Sequence, residues 1–215
     1  MSKIIKPTFN QDDVEIIDTK WPHDGFLKVR TIRLRFRQFD GTMGAIIERE
    51  VFTPPYEAVG VLLYDPKAEK ICLVEQFRVG ALLDAQSPWQ YELVMGMVDD
   101  PQETFEAVAI REAREEAGAC IARLIPIYSF FNSPGTSSEQ MHLFCAEVDS
   151  TKLGGVFGLA EENENIKAHV IDVTQAEAAI AAGQLNNAAT LIAIQWLLLN
   201  REKFPFLPIR KPLET

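Results

Sequence analysis

Apolar and polar positions alternate from Val29 to Arg37, where the sequence runs VRTIRLRFR and most polar positions are basic. A period of two is typical of a β-strand with one covered face. Asp40-Gly41 follows as a turn signal. The next interruption is Thr53-Pro54-Pro55. We therefore predict a small N-terminal β subdomain over residues 1–52 and a main domain over 53–215.

The main domain mixes short apolar runs with longer helical patterns. Strands are predicted near residues 58–63, 71–74, 125–131, 141–148 and 168–173. A helix is predicted from Asp100 to Ala117, with Asp100 as N-cap, Glu103 completing a capping box and Gly118 as the stop. Two more are expected, over Thr174–Ala182 with a second capping box and from Asn187 to about Lys203. The pattern predicts an α/β (α+β) fold, an α/β/α sandwich around a mixed sheet.

The composition of the chain narrows the range of functions that it can have. The 215 residues are 47% hydrophobic and carry a formal net charge of −10. An acidic chain is a poor binder of nucleic-acid backbones, so phosphate chemistry would need a bound metal or a few placed arginines. Cys72, Cys120 and Cys145 form no CxxC pair and lie in apolar runs, which indicates core positions and a reducing compartment. With no signal peptide and no run of ~18 apolar residues, we expect a cytoplasmic protein without a membrane partner.

Three carboxylates mark the candidate chemistry. Glu112, Glu115 and Glu116 are spaced by three and four residues, which places them on one helical face. Like charges there repel one another, and a divalent cation with a preference for oxygen ligands would relieve the repulsion. The spacing therefore indicates a site for Mg²⁺, with Mn²⁺ as a possible substitute. The alternative is an ordinary solvated acidic face of a helix.

The surrounding sequence resembles the Nudix signature. Gly96, Glu103 and the run REAREEAGA from Arg111 follow that pattern, although six residues separate Gly96 from Glu103, one more than is usual. The resemblance implies that Glu112 and Glu116 are the principal metal ligands. It makes Glu115 a further ligand and catalytic carboxylate, and the Met95 carbonyl a contact. Glu103 and Arg111 are expected to pin the loop to the helix.

Flanking segments are similar to the ADP-ribose pyrophosphatase branch of that family, namely residues 74–78, 88–92, 133–139 and 158–164. This resemblance implies hydrolysis of ADP-ribose to AMP and ribose 5-phosphate by a homodimer that exchanges its N-terminal subdomains. Arg78 and Arg49 would hold the diphosphate and terminal ribose, in bidentate contacts that lysine could not copy. For Arg49 the alternative is an exposed strand charge.

The same branch implies a general base in the acidic loop. Glu162 is the first candidate and Glu164 the second; Glu139, expected near the substrate, is the third.

Two other functions stay open. One is a pyrophosphatase for another nucleotide sugar, such as GDP-mannose or UDP-glucose, and the other is a sensor that binds ADP-ribose without cleaving it.

Overall fold

The computed structural model describes residues 5–159, 161 and 163–206. The chain forms two compact units, one comprising the residues up to Pro55 together with 131–139, and the other comprising residues 56–130 and 140 onward. The first unit ends three residues after the boundary expected from the sequence. Its second segment, 131–139, was not indicated by the pattern of residues.

The first unit is built on an antiparallel sheet in the order β1-β2-β3. Its strands are β1 (Val14–Asp24), β2 (Lys28–Phe36) and β3 (Ile47–Thr53). The alternating run therefore forms the central strand. The segment 131–139 joins this unit through the backbone: the Phe52 N–H donates to the Thr136 carbonyl at 2.8 Å, and the Ser138 N–H donates to the Phe52 carbonyl at 2.9 Å.

The second unit contains an eight-stranded sheet in the order β10-β11-β5-β4-β9-β8, with β6 paired to β5 and β7 paired to β4. The strands are β4 (Ala58–Asp65), β5 (Lys70–Phe77), β6 (Trp89–Glu92), β7 (Val94–Met97), β8 (Arg123–Phe131), β9 (Gln140–Glu147), β10 (Gly155–Phe157) and β11 (Ile166–Asp172). Because β4 and β9 are parallel and β4 and β5 antiparallel, the sheet is mixed, as predicted.

Helices cover both faces of this sheet. They are α1 (Phe105–Ala117), α2 (Val173–Ala181) and α3 (Ala188–Asn200), the last followed by a 3-10 helix over Arg201–Phe206. Side chains of β4 alternate between the two cores: Val61 packs in the cluster under α1, and Leu62 packs in the cluster with α2 and α3. The predicted α/β/α sandwich is confirmed. Within the described part of the chain, no helix has the length and apolar character needed to cross a bilayer.

The start of α1 differs from the prediction. Its N-cap is Thr104, whose hydroxyl accepts from the Ala107 N–H, whereas Asp100 caps a preceding turn by accepting from the Gln102 N–H at 2.9 Å. The predicted capping box is wrong because Glu103 precedes the N-cap Thr104. The Glu103 carboxylate accepts a hydrogen bond from the Arg111 side chain instead. The predicted stop is confirmed, since Gly118 adopts a left-handed conformation with φ 63°.

The ends of the other helices also shift. The N-cap of α2 is Asp172, without a side-chain hydrogen bond, so the predicted capping box of Thr174 and Glu177 is wrong. Asn187 caps α3 as expected, but the α-helix ends before Lys203. The predicted core positions of Cys72 and Cys145 are confirmed, because both are buried. The prediction for Cys120 is wrong: it is exposed and lies three residues after the end of α1.

Candidate active site

The acidic face of α1 packs against the middle of β7. Glu116 is only 3% exposed, and its carboxylate accepts a hydrogen bond from the Met95 N–H at 3.1 Å. Next to it, a Cβ atom added to Gly96 would lie 2.0 Å from Oε1 of Glu112. Only glycine therefore lets the strand approach this carboxylate so closely. Two of the three carboxylates predicted to bind the metal are thus held against β7.

Arg111 connects the acidic face to the preceding loop. Its guanidinium donates to Glu103 at 3.3 Å, to Glu112 at 2.7 Å and to Glu115 at 3.3 Å. It also reaches the Met97 carbonyl at 3.4 Å. Glu103 and Arg111 therefore hold the loop against the helix, the structural role expected from the sequence.

The buried Glu116 and the half-buried Glu112 are unfavourable as free anions. Burial raises the pKa of Glu116 to about 8, against an opposing hydrogen bond from the Met95 N–H. Burial likewise raises the pKa of Glu112 to about 7, although Arg111 opposes the shift. The nearby Glu164 charge adds to both shifts. The ionised forms consequently need a compensating positive charge.

This donor set fits a divalent cation that shares its coordination with a ligand. Within the described residues, no three His, Cys, Asp or Glu side chains converge to hold a metal by themselves. Arg111 takes up part of the coordinating capacity of Glu112 and Glu115. Hard cations such as Mg²⁺ commonly use one or two carboxylates and complete their shell with water and substrate phosphates. Glu112 and Glu116 match this arrangement.

Arg78 lies beside the acidic face. It directly follows β5, and its Nε donates to the buried Glu92 carboxylate at 2.7 Å. The other oxygen of Glu92 accepts from the Asn187 side chain at 2.9 Å. The hydrogen bond to Glu92 thus orients the Arg78 guanidinium. Arg78 is also close enough to Glu116 for its positive charge to favour the ionised form of that carboxylate. The structure therefore places the charge of Arg78 near one of the predicted metal ligands, Glu116.

The acidic loop contributes Glu164. Its carboxylate accepts from the Leu159 N–H at 3.2 Å, and its charge raises the pKa of Glu112 and Glu116. Glu164 is therefore close to the acidic face. Glu162, the first candidate for the general base, lies outside the described residues.

Arg49 and Glu139 lie in the first unit. Arg49 is an exposed residue of β3, and its Nη1 donates to the Glu48 carbonyl at 2.8 Å. Glu139 accepts from the Asn132 side chain at 2.7 Å, and its N–H donates to the Ser137 hydroxyl at 3.1 Å. The role of both residues at a substrate stays a prediction.

Comparison with known proteins identifies the family. The family model of the NUDIX domain matches residues 54–191, a range that includes all of α1 and its acidic face. The chain belongs to the Nudix family. The resemblance of its glycine loop and glutamate helix to the Nudix signature is confirmed, and the additional loop residue after Gly96 falls within the matched range.

Relatives extend the similarity over most of the chain. A curated ADP-ribose pyrophosphatase of Escherichia coli is 41% identical, with 91% of this chain and 92% of the relative covered. A GDP-mannose pyrophosphatase of Citrobacter koseri is 26% identical, covering 86% of this chain and 94% of its own. The solved structure described as an ADP compounds hydrolase has a TM-score of 0.65 at 20% identity, covering 93% of this chain and 98% of that one. That structure supports the Nudix fold.

Two residues at this Nudix site were missed from the sequence. Glu92 lies in the segment 88–92 that carries the family resemblance, and Asn187 was predicted only as the start of a helix. Neither was predicted to orient Arg78, and only the fold brings them together. A separate cavity of about 680 Å³ is lined by residues of β6, β11 and α2. Among its described lining residues there is no Lys or Arg, so it is unsuited to a diphosphate. The carboxylate face with Arg78 remains the candidate active site.

Proposed function

We propose that this Nudix chain hydrolyses ADP-ribose to AMP and ribose 5-phosphate, with Mg²⁺ as its metal and Mn²⁺ as a substitute. The observation that carries the proposal is the acidic face of α1, formed by the half-buried Glu112 and the buried Glu116. Arg78, which Glu92 orients, places its charge near Glu116. The 41% identity to a curated ADP-ribose pyrophosphatase across nearly the whole of both chains supports the choice of substrate.

Each residue has a distinct part in the proposed reaction. Glu112 and Glu116 would hold the metal, with Glu115 and the Met95 carbonyl as further contacts. When bound, the metal neutralises phosphate charge and lowers the pKa of water. Arg78 binds and orients the diphosphate through its guanidinium. In the overall reaction a water oxygen bonds to one phosphorus, the bond from that phosphorus to the bridging oxygen breaks, and a carboxylate accepts the proton of the water.

Glu162 is our first candidate for this base, followed by Glu164 and then Glu139. Glu164 is near the acidic face, which supports its candidacy, and a base must come within about 3 Å of the attacked water. Arg49 and Glu139 are proposed to bind the substrate from the N-terminal unit of the other subunit in a homodimer. The protein is proposed to work in the cytoplasm.

Two rivals make different demands on the site. A pyrophosphatase for GDP-mannose or UDP-glucose would need the same metal face with other contacts to the base and sugar. A sensor would bind ADP-ribose without turnover. The intact acidic face beside Arg78 favours turnover over sensing, since a sensor has no need to bury carboxylates that require a cation.

The deciding experiment measures AMP release from ADP-ribose with several millimolar Mg²⁺ and with excess chelator. We expect rapid release only with the metal, and a higher kcat/KM for ADP-ribose than for GDP-mannose or UDP-glucose. Release at the same rate in chelator would contradict the metal-dependent mechanism. Tight binding of ADP-ribose by calorimetry without any release would instead establish the sensor.

A further inference from the structure

Gln76 carries a buried amide nitrogen without a partner. The residue is 7% exposed, and its Nε2 is buried with no hydrogen-bond partner among the described residues. Buried polar groups in native proteins are nearly always satisfied, and an orphaned donor destabilises the folded state. Arg30 Nε in β2 is the other buried side-chain atom without a partner among the described residues, but it lies in the first unit. Gln76 belongs to the unit that carries the candidate active site, so its unsatisfied donor points to a ligand bound there.

The position of Gln76 in β5 directs it to the active-site face. Val74 packs in the cluster under α1, and side chains two residues apart on a strand point to the same face. Gln76 therefore shares the face of Val74, and Arg78 continues it in the extended conformation, with φ −127° and ψ 114°. Gln76 and Arg78 are then about 7 Å apart along the chain, which lets both reach one diphosphate.

The neighbouring strand offers a contrast. Gln90 of β6 is paired with Gln76 in the register of the sheet. Its amide is satisfied, because Nε2 donates to the Ser87 carbonyl at 2.6 Å. The two glutamines thus occupy facing positions on adjacent strands, and only one of them lacks a partner. The orphaned donor is a property of the Gln76 position.

We infer that the Gln76 amide donates a hydrogen bond to an oxygen of the substrate diphosphate that Arg78 binds, making Gln76 a further substrate-binding residue. The inference rests on the proposed function, because it assumes a diphosphate at this site. The charge of Arg78 attracts an anion, and a phosphate oxygen is an acceptor that can satisfy a neutral amide without introducing another buried positive charge.

The test compares Gln76→Met with Gln90→Met. Melting temperatures are measured without ligand, and ADP-ribose binding is measured by calorimetry in excess chelator. For Gln76→Met we expect an unchanged or higher melting temperature, because methionine of similar shape removes an unsatisfied donor. Affinity for ADP-ribose and kcat/KM with Mg²⁺ should both fall about tenfold, as expected for one hydrogen bond to a charged group.

The matched control should respond in the opposite way. Gln90→Met removes a satisfied hydrogen bond, so its melting temperature should fall while ADP-ribose affinity stays within about twofold of the wild type. The inference is wrong if Gln76→Met melts lower, as the control does, and binds ADP-ribose normally. Gln76→Leu serves if the methionine variant does not fold: its side chain cannot donate in any protonation state, so wild-type affinity in that variant would also refute the inference.

The outcomes separate the two proposals. If the wild-type protein neither binds nor cleaves ADP-ribose, the proposed function fails and this inference fails with it. If the wild type cleaves ADP-ribose and the Gln76 variants keep its affinity and kcat/KM, only the inference about Gln76 fails.

Discussion

Glu116 has a carboxylate that the fold buries at a cost. Burial disfavours the charge of this carboxylate, and the only hydrogen bond given for it among the described residues comes from the Met95 N–H in β7. We predict that Glu116→Gln lowers kcat by on the order of 100-fold or more, because it removes a charged metal ligand. The melting temperature of this variant without metal should not fall, because burying a neutral amide costs less free energy than burying a charged carboxylate.

The matched change is Glu177→Gln, which neutralises an exposed glutamate on α2. Steady-state rates at saturating Mg²⁺ and thermal melts in chelator would be measured for both variants. We expect the Glu177 variant to match the wild type in both. Full activity in Glu116→Gln would exclude this carboxylate as a metal ligand.

A second residue controls stability rather than activity. Asp65 is buried, which opposes its ionisation, but hydrogen bonds from Ser150, Ala68 and Lys67 outweigh burial and lower its pKa to about 2. A pKa lowered on folding stabilises the protein above the unfolded pKa of about 4, and this contribution is lost as the pH falls through the folded value. The shift corresponds to about 2 kcal/mol at neutral pH.

Asp65→Asn isolates that contribution. Urea unfolding of the wild type and the variant at pH 6 and pH 3 gives the difference in their free energies of unfolding. We expect the advantage of the wild type to shrink by roughly half at pH 3, as its unfolded state takes up the proton. An equal difference at both pH values would show that the Asp65 carboxylate does not titrate as the structure implies.

Among the elements, α1 positions most of the site, and its two ends test the structure against the sequence. Thr104 caps the helix through the Ala107 N–H at 3.2 Å, whereas Asp100 belongs to the preceding turn. Thr104→Ala should therefore lower the free energy of unfolding by about 1 kcal/mol. Asp100→Ala, at an exposed turn, should change it by less than about 0.5 kcal/mol. Urea unfolding measures both, and the reverse order would restore Asp100 as the cap.

The same element shows what can be predicted from sequence. The acidic face of α1 and its glycine stop follow from local spacing, so both were predicted. The start was misplaced because Asp100 and Thr104 are both good caps locally, and the choice depends on where Glu103 finds a partner. Arg111 provides that partner eight residues later.

Contacts between elements that are distant in the chain are harder to predict from the sequence. Gln76 and Arg78 lie two residues apart in the same segment of the sequence. The sequence does not show that the Arg78 side chain has a partner and that the Gln76 amide nitrogen has none. Arg78 is oriented by Glu92, which the Asn187 side chain contacts from a position 95 residues away. The burial that leaves the Gln76 amide without a partner exists only in the assembled sheet, where β5 pairs with β6. Predicting contacts between residues this far apart in the chain requires knowing the topology of the sheet.

At the scale of the whole molecule, the proposed exchange of N-terminal units across a homodimer can be tested. Arg49 and Glu139 belong to the first unit, while Arg78 and the carboxylates of α1 belong to the second. If the homodimer exchanges its first units, as we propose, an active site combines Arg49 of one subunit with Glu116 of the other. Size-exclusion chromatography with light scattering should then report a dimer at micromolar concentration.

Subunit mixing tests whether the site is shared. Arg49→Ala and Glu116→Gln are each expected to be nearly inactive, but a heterodimer of the two contains one site with both native residues if the units are exchanged. Random reassociation makes half of the dimers mixed, so activity should recover to on the order of one quarter of the wild-type value. If each site instead takes both residues from one subunit, every site in the mixture carries a substitution and no activity returns. A control mixture of Arg49→Ala with itself should stay inactive under either arrangement, so recovered turnover in the mixed sample can come only from a site built by two chains.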